Sequence, residues 1–380
     1  MSLFFITFFT LYGLLHLYAF LKAKAALSLN VQQSILMVIF MAVMTFAPAI
    51  IRYLERFGLE FLARTMSHIG YLWMGILVLF FSLAVCIDMY RLVIYLSHFM
   101  VSRDITSLYP SGKVSFFLPL LFALVTAGYG LFEAQNIRLE HITVKNSRMP
   151  QETDRFRIVQ ISDVHLGLIV RESRLKRILA KVQEAGPDLL VCTGDLVDGQ
   201  INNLEGLSEM LQSIQPAYGK FAITGNHEFY AGLHQALDFI RKAGFTILRG
   251  QAVEVNGFVT LAGVDDPTGS QFNNYTGDTE QEVLSGLDHE KFTILLKHRP
   301  LIDKNSLGMF DLQLSGHTHK GQIFPFNLLT KLYYPKHAGY VSLPNSSHLY
   351  ISRGSGTWGP PIRFLSPPEV TVIDLVREEE

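Results

Sequence analysis

The amino-acid sequence predicts an α-helical membrane module of four spans followed by a layered α/β domain. Three observations carry the prediction. The uncharged stretches of spanning length fall before residue 133, the texture changes near Gln135 to short apolar runs among charged residues, and those runs alternate with segments of helical periodicity. Of the 380 residues 49% are hydrophobic and only 17% charged, an apolar excess that calls for a bilayer as well as a core. The formal net charge of -1 gives no global basic field, so nucleic acid is not expected as a partner.

The four expected spans are residues 3–21, 34–51, 69–87 and 114–132. Each approaches the roughly 20 residues that cross about 30 Å of hydrocarbon at 1.5 Å per residue. Pro48 and Pro119 fall inside two of them, and helix breakers are tolerated in spans where neighbours satisfy the freed carbonyls. The first run begins almost at Met1 without a basic stretch before it, which reads as a retained helix and not a cleaved signal. Four spans return the chain to the side it started from. The flanking Lys and Arg residues divide nearly evenly between the two sides, with a lean to a multi-pass protein of the cell or inner membrane whose second domain is cytoplasmic. His16 lies within the first run and reads either as a functional intramembrane group or as a satisfied histidine. Cys86 and Cys192 both sit in apolar runs, so no disulfide framework is expected.

The second domain is expected over 135–376, with an acidic tail at 377–380. Runs 156–161, 189–193, 221–224, 293–297 and 312–315 are short, rich in Leu or β-branched residues and bounded by Gly, Asn, Asp or Pro; they read as buried strands. Segments 172–185, 204–214 and 234–243 have helical spacing, as at Leu175, Ile178, Leu179 and Val182. Further β structure is expected over 137–144, 253–261 and 370–375.

The chemistry-bearing residues fall at the ends of the strand runs. Asp163 and His165, Gly194-Asp195 with Asp198, Gly225-Asn226-His227-Glu228, His298, and Gly316-His317 with His319 each follow one immediately. In a layered α/β sheet such loops converge on one edge, so three aspartates, one carboxamide and five imidazoles can share a crevice. That mixture suits borderline divalent ions such as Mn²⁺, Fe²⁺ or Zn²⁺ better than an all-oxygen Ca²⁺ site.

These segments, in this order, resemble the calcineurin-like metallophosphoesterases, whose pattern runs D-x-H, G-D-x-x-D, G-N-H-[DE], H and G-H-x-H. The likeness extends to Gly263-Val-Asp265-Asp266-Pro267, to the stretch from Arg353 through Trp358 to Arg363, and to the closing Pro368-Glu-Val-Thr-Val-Ile-Asp-Leu, all similar to the YkuE-like branch with N-terminal membrane segments. Lys320 departs from the glycine many members carry there. The resemblance implies an αββα sandwich and two divalent ions, Mn²⁺ first and Fe²⁺, Zn²⁺ or Mg²⁺ as alternatives. Asp163, His165 and His319 would hold one ion, Asn226, His298 and His317 the other, with Asp195 bridging. His227, oriented by Asp198, would be the general acid, and Glu228 a supporting residue. Arg353, Trp358 and Arg363 are candidates for holding substrate. The implied reaction is hydrolysis of a phosphodiester or pyrophosphate, with a lipid-linked nucleotide such as UDP-diacylglucosamine as one substrate. A general nucleotide phosphodiesterase localised by its spans is the alternative, and a metal-stabilised sensing module the third. The apolar insertion 323–343 reads either as core packing or as a membrane-dipping lid or acyl-chain groove.

Overall fold

The computed structural model describes residues 3–98, 106–199, 204, 206–272, 279–288 and 290–378. The chain divides into a helical unit, which runs to Phe132 and includes Gly359–Phe364, and an α/β unit of Glu133–Trp358 with the residues from Leu365 onward.

The helical unit holds α1 (Leu3–Leu27), α2 (Val31–Thr45), α3 (Ala47–Arg56), α4 (Glu60–His98) and α5 (Gly112–Glu133). Three of these, α1, α4 and α5, are long and apolar enough to cross a membrane. The expected second span differs: α2 and α3 meet at a bend of 56°. Pro48 sits in the first turn of α3, where its missing N–H cannot continue the ladder of α2, so one helix stops and another starts. The expected third span covers only the middle of α4, whose 39 residues are about twice the length that crosses hydrocarbon. Small residues line the helix contacts. Ala63, Ser67, Ala84 and Ala123 are fully buried, and a Cβ on Gly70 would come 2.7 Å from that of Ala47. His16 resolves as a satisfied histidine: its Nδ1 lies 2.8 Å from the Tyr12 carbonyl, and Trp73 Nε1–H donates to its Nε2 at 2.9 Å. Just past the expected limits of the first and third spans, Lys22 and Asp88 pair with each other, and the Tyr18 hydroxyl donates to Asp88 at 2.6 Å.

The α/β unit runs β1 (Arg138–Asn146), β2 (Arg155–Ile161), α6 (Glu172–Ala185), β3 (Leu189–Cys192), α7 (Leu207–Gln212), β4 (Lys220–Ala222), α8 (Asn226–Ala231), α9 (Leu233–Lys242), β5 (Thr246–Ile247), β6 (Gln251–Glu254), β7 (Val259–Gly263), α10 (Glu280–Ser285), β8 (Phe292–Leu296), β9 (Leu312–Ser315), α11 (Phe326–Tyr333), β10 (Gly339–Ser342), β11 (His348–Ile351) and β12 (Glu369–Arg377). Two six-stranded sheets result, in orders β1-β12-β2-β3-β4-β5 and β10-β11-β9-β8-β7-β6. Their middle strands are parallel: β2 to β3 to β4 in the first sheet, β7 to β8 to β9 to β11 in the second. One apolar cluster takes residues from both sheets, among them Ile158, Leu189, Leu261 and Ile294. A second joins the first sheet to α6, α7 and α9; a third joins the other sheet to α10. In α6 the expected face Leu175, Ile178, Leu179 and Val182 is buried, and Gly186 closes the helix at φ +62°.

The expected single stretch 253–261 is an antiparallel pair, β6 and β7, because Asn256 and Gly257 both take positive φ and turn the chain. Segment 204–214 is helical only over α7. β12 extends to Arg377, into the expected acidic tail, of which residues 379–380 lie outside the described residues.

Candidate metal centre

Parallel strands deliver the segments that follow them to one edge of each sheet, and the expected metal ligands and the His227–Asp198 pair stand in such segments. Asp163 and His165 follow β2, Asp195 and Asp198 follow β3, and Asn226 and His227 open α8 after β4. His298 follows β8, and His317 and His319 follow β9.

The structure brings these side chains together in two neighbouring sets. Asp163, His165 and His319 offer ligand atoms within 4.8 Å of one another, as do Asp195, His298 and His317. His165 Nε2 faces His319 Nε2 at 3.0 Å, and His319 Nε2 lies 3.5 Å from Asp163 Oδ1. In the other set His298 Nε2 lies 3.2 Å from Asp195 Oδ2, 3.3 Å from Asn226 Oδ1 and 3.1 Å from His317 Nδ1. Asp195 also reaches the first set, with Oδ2 3.8 Å from His165 Nε2. The Thr193 carbonyl can only accept, so at 2.8 Å it fixes the hydrogen of the neutral His298 ring on Nδ1 and leaves the Nε2 lone pair turned to Asp195 and Asn226. Lone pairs of imidazole, carboxylate and amide converging at these distances fit divalent cations.

Electrostatics agree with that fit. Burial would weaken the hold of the His298 ring on a proton, yet Asp195, and beyond it Asp163 and Asp266, push it up to about 10. Burial would raise Asp195, yet His298 and then His227 hold it well below the usual carboxylate range. His317 is driven down to about 3 by burial and by the field of His298. Without ions a proton on His298 balances the buried carboxylates, and cations compete for that role.

Backbone strain is concentrated here. Asp163, His165, Asp195, His317 and His319 all have φ between +47° and +71°, a region that side chains other than Gly and Asn seldom occupy. Two glycines admit close approach: a Cβ on Gly225 would lie 2.1 Å from Asp195 Oδ1, and one on Gly316 would lie 2.2 Å from Asp163 Oδ2. Lys320 has φ +51°, which accounts for the glycine expected at that position.

His227 stands at the border of the two sets. Its Nδ1 lies 2.6 Å from the Asp198 carbonyl and 3.0 Å from Asp198 Oδ1; both are acceptors, so Nδ1 carries hydrogen. Burial lowers its affinity for a proton, but Asp195 and then Asp198 outweigh that and push the ring up to about 9. Glu228 does more than its motif position suggested. Fully buried, it accepts from the N–H groups of Asp195 (3.0 Å), Leu196 (2.8 Å), Val197 (3.3 Å) and Gly225 (2.7 Å), tying the β3 and β4 loops together. The Asp265-Asp266 pair is also structural: Arg249 clamps Asp265, and Arg299, next to His298, clamps Asp266 at 2.7 and 3.0 Å.

The three substrate candidates separate. Trp358 is half exposed, its ring 6.0 Å from that of His227. Arg353 is a correction: its guanidinium pairs with the partly exposed Glu140 and, at 2.6 Å, with the buried Glu369, so carboxylates occupy it in place of phosphate. Arg363 is fully buried within the helical unit, and its backbone N–H donates to the Gly130 carbonyl at 3.0 Å. Sequence reasoning missed Tyr230, 5.4 Å from the His227 ring, and Tyr334, 5.4 Å from the His317 ring. Tyr230 was findable, since a helix opening at Asn226 returns to the same face four residues later.

Comparison with known proteins agrees with this geometry. The family model for calcineurin-like phosphoesterases matches residues 156–321. The chain is 41% identical over 257 residues to an uncharacterized metallophosphoesterase of Aquifex aeolicus (strain VF5), covering 67% of this chain and 98% of the relative. It is 34% identical over 263 residues to the uncharacterized metallophosphoesterase YkuE of Bacillus subtilis (strain 168), covering 65% and 90%. A transmembrane protein with metallophosphoesterase domain from Danio rerio is 34% identical over 272 residues; the match covers 68% of this chain but 62% of that relative, so this chain spans less than two thirds of its length. With Asp163, His165, His319, Asp195, His298 and His317 gathered in two neighbouring ligand sets and relatives matched across them, the chain belongs to the calcineurin-like metallophosphoesterase family, with YkuE-like relatives, and is a metal-dependent phosphoesterase.

Proposed function

We propose that this crevice hydrolyses a phosphodiester or pyrophosphate bond. Asp163, His165 and His319 hold one divalent ion, Asn226, His298 and His317 a second, and Asp195 lies between them; Mn²⁺ is the first choice, and Fe²⁺, Zn²⁺ or Mg²⁺ suit the same donors. Bound there, such ions lower the pKa of water toward neutrality and offset charge on phosphate oxygens. The chain's own step falls to His227. With Nδ1–H held by Asp198, Nε2 is the nitrogen that can hand a proton to the leaving oxygen. This dyad is the observation that carries the proposal, because a module that only sensed metal would have no use for it. Trp358 and Tyr230 flank the His227 ring and would stack on a planar leaving group such as a nucleobase.

The apolar helices favour a substrate at the membrane, and a lipid-linked nucleotide such as UDP-diacylglucosamine joins a nucleobase, a pyrophosphate and acyl chains in one molecule. A general nucleotide phosphodiesterase is the second reading, supported by the same aromatic rings. Counting the bent pair α2–α3 as a fourth span returns the chain to the side it started from, and our reading is a multi-pass protein with that side, and so the catalytic domain, cytoplasmic. Turnover of bis-p-nitrophenyl phosphate by purified, metal-loaded protein is the decisive test, and a loaded protein without turnover sinks the hydrolase reading. Comparing a lipid-linked pyrophosphate with its short-chain analogue separates the two substrates.

A further inference from the structure

Helix α11 is built inside out. No residue of it is buried, and its large apolar side chains are its most exposed: Phe326 51%, Leu328 56%, Leu329 57%, Leu332 80% and Tyr333 84%. The less exposed positions are Asn327 and Thr330, with Tyr334 at the cap, spaced three and four apart on one face. Asn327 seats this face on the domain, for a Cβ on Gly321 would lie 2.3 Å from the Asn327 Cα. An ordinary surface helix turns its apolar stripe to the core and its polar stripe to water. Here the polar stripe meets protein and the apolar one meets whatever lies outside.

Charge identifies what lies outside. Lys331 is exposed on the helix, and both it and Lys320 bear electrostatically on the His337 ring, so a cationic group sits beside the apolar face. Among the described residues no carboxylate pairs with Lys320, Lys331 or Lys336. An apolar face rimmed by unpaired lysines matches acyl chains below anionic headgroups. The chain supplies the bilayer itself, through three helices long and apolar enough to cross one.

We propose that α11 lies in the membrane interface, with Phe326, Leu328, Leu329, Leu332 and Tyr333 among the acyl chains and Lys320 and Lys331 at headgroup level. The proposal stands apart from which phosphate ester is cleaved. It would set the metal-centre loop at the lipid surface, since the ring of Tyr334 lies 5.4 Å from that of His317.

The experiment uses the full chain, one molecule per nanodisc, carrying Cys86→Ser and Leu332→Cys labelled with an environment-sensitive fluorophore. Leu332 is so exposed that the change leaves the fold intact. Lipid-embedded emission, quenched several-fold by nitroxide-bearing acyl chains and strengthened by phosphatidylglycerol over phosphatidylcholine, is expected. The same label at Glu184→Cys, exposed on α6, should report water throughout. Aqueous emission at residue 332 without nitroxide quenching overturns the proposal. So does a blue shift that appears only with two chains per disc, which would assign the face to a second copy.

Discussion

The helical unit and the metal centre both bury polar side chains, and they satisfy them differently. In the helices the buried His16 has Trp73 and the Tyr12 carbonyl, and the part-buried Lys22 has Asp88. At the metal centre imidazole nitrogens face one another at 3.0 and 3.1 Å among buried carboxylates, and protein partners alone do not complete the set. The contrast teaches that a buried polar group is structural where its partners close the account and functional where they leave convergent lone pairs.

The largest effect should come from removing the group common to both ligand sets. Asp195→Ala is expected to lose at least one of two ions and with it essentially all turnover; metal analysis finding two ions retained would show that Asp195 is not shared. Next, His227→Ala should keep its ions while hydrolysis slows about 10²–10⁴-fold, most for poor leaving groups. Equal losses for p-nitrophenolate and alkoxide leaving groups would make His227 a positioning residue. Glu228→Gln is a sharper probe, since it keeps shape but weakens a carboxylate that accepts from four N–H groups. A loss of about 2–3 kcal/mol in stability is expected, measured by thermal melting, with metal affinity falling alongside.

Lys220 tests burial of charge away from the ions. Its ammonium donates to the Leu211 and Ala243 carbonyls at 2.8 and 2.6 Å, and burial pushes it down to about 8. In the unfolded chain it stays protonated to about pH 10.4. Between these values the unfolded state binds more protons, so stability attributable to Lys220 should rise with pH from about 8 to 10, the charged-state penalty being full below that window. Melting curves of wild type and Lys220→Met should converge as pH rises; a constant gap would refute the assignment. The smallest effect belongs to the helices. His16→Phe should cost about 0.6 kcal/mol, the ordinary worth of an interhelical hydrogen bond, and leave turnover unchanged. A loss of activity there would break the contrast between the two regions.

Much of the centre was legible because aspartate, asparagine and histidine recur together, in order, at successive strand ends. Asp163, His165, Asp195, Asn226, His298, His317 and His319 all stand where a strand's carboxyl end delivers them. Arg353 was misread, since a motif places it in sequence but says nothing of Glu140, 213 residues away, which holds it. Spanning helices were legible from uncharged length, yet the stop at Pro48 and the extension of α4 to 39 residues depend on local donor loss and neighbouring helices. The insertion 323–343 left two readings open because apolar content does not say which face turns inward. Asn327 on Gly321 decides that α11 turns its polar side in.

The left-handed backbone at Asp163, His165, Asp195, His317 and His319 sets stability and activity against each other. Each such residue is strained by about 1 kcal/mol or more, and glycine would relieve it. Selection for folding alone therefore pulls against the centre, and only selection for turnover keeps these side chains in place. A library of this chain sorted for heat resistance should drift toward glycine at these positions, keeping the fold while losing the hydrolase.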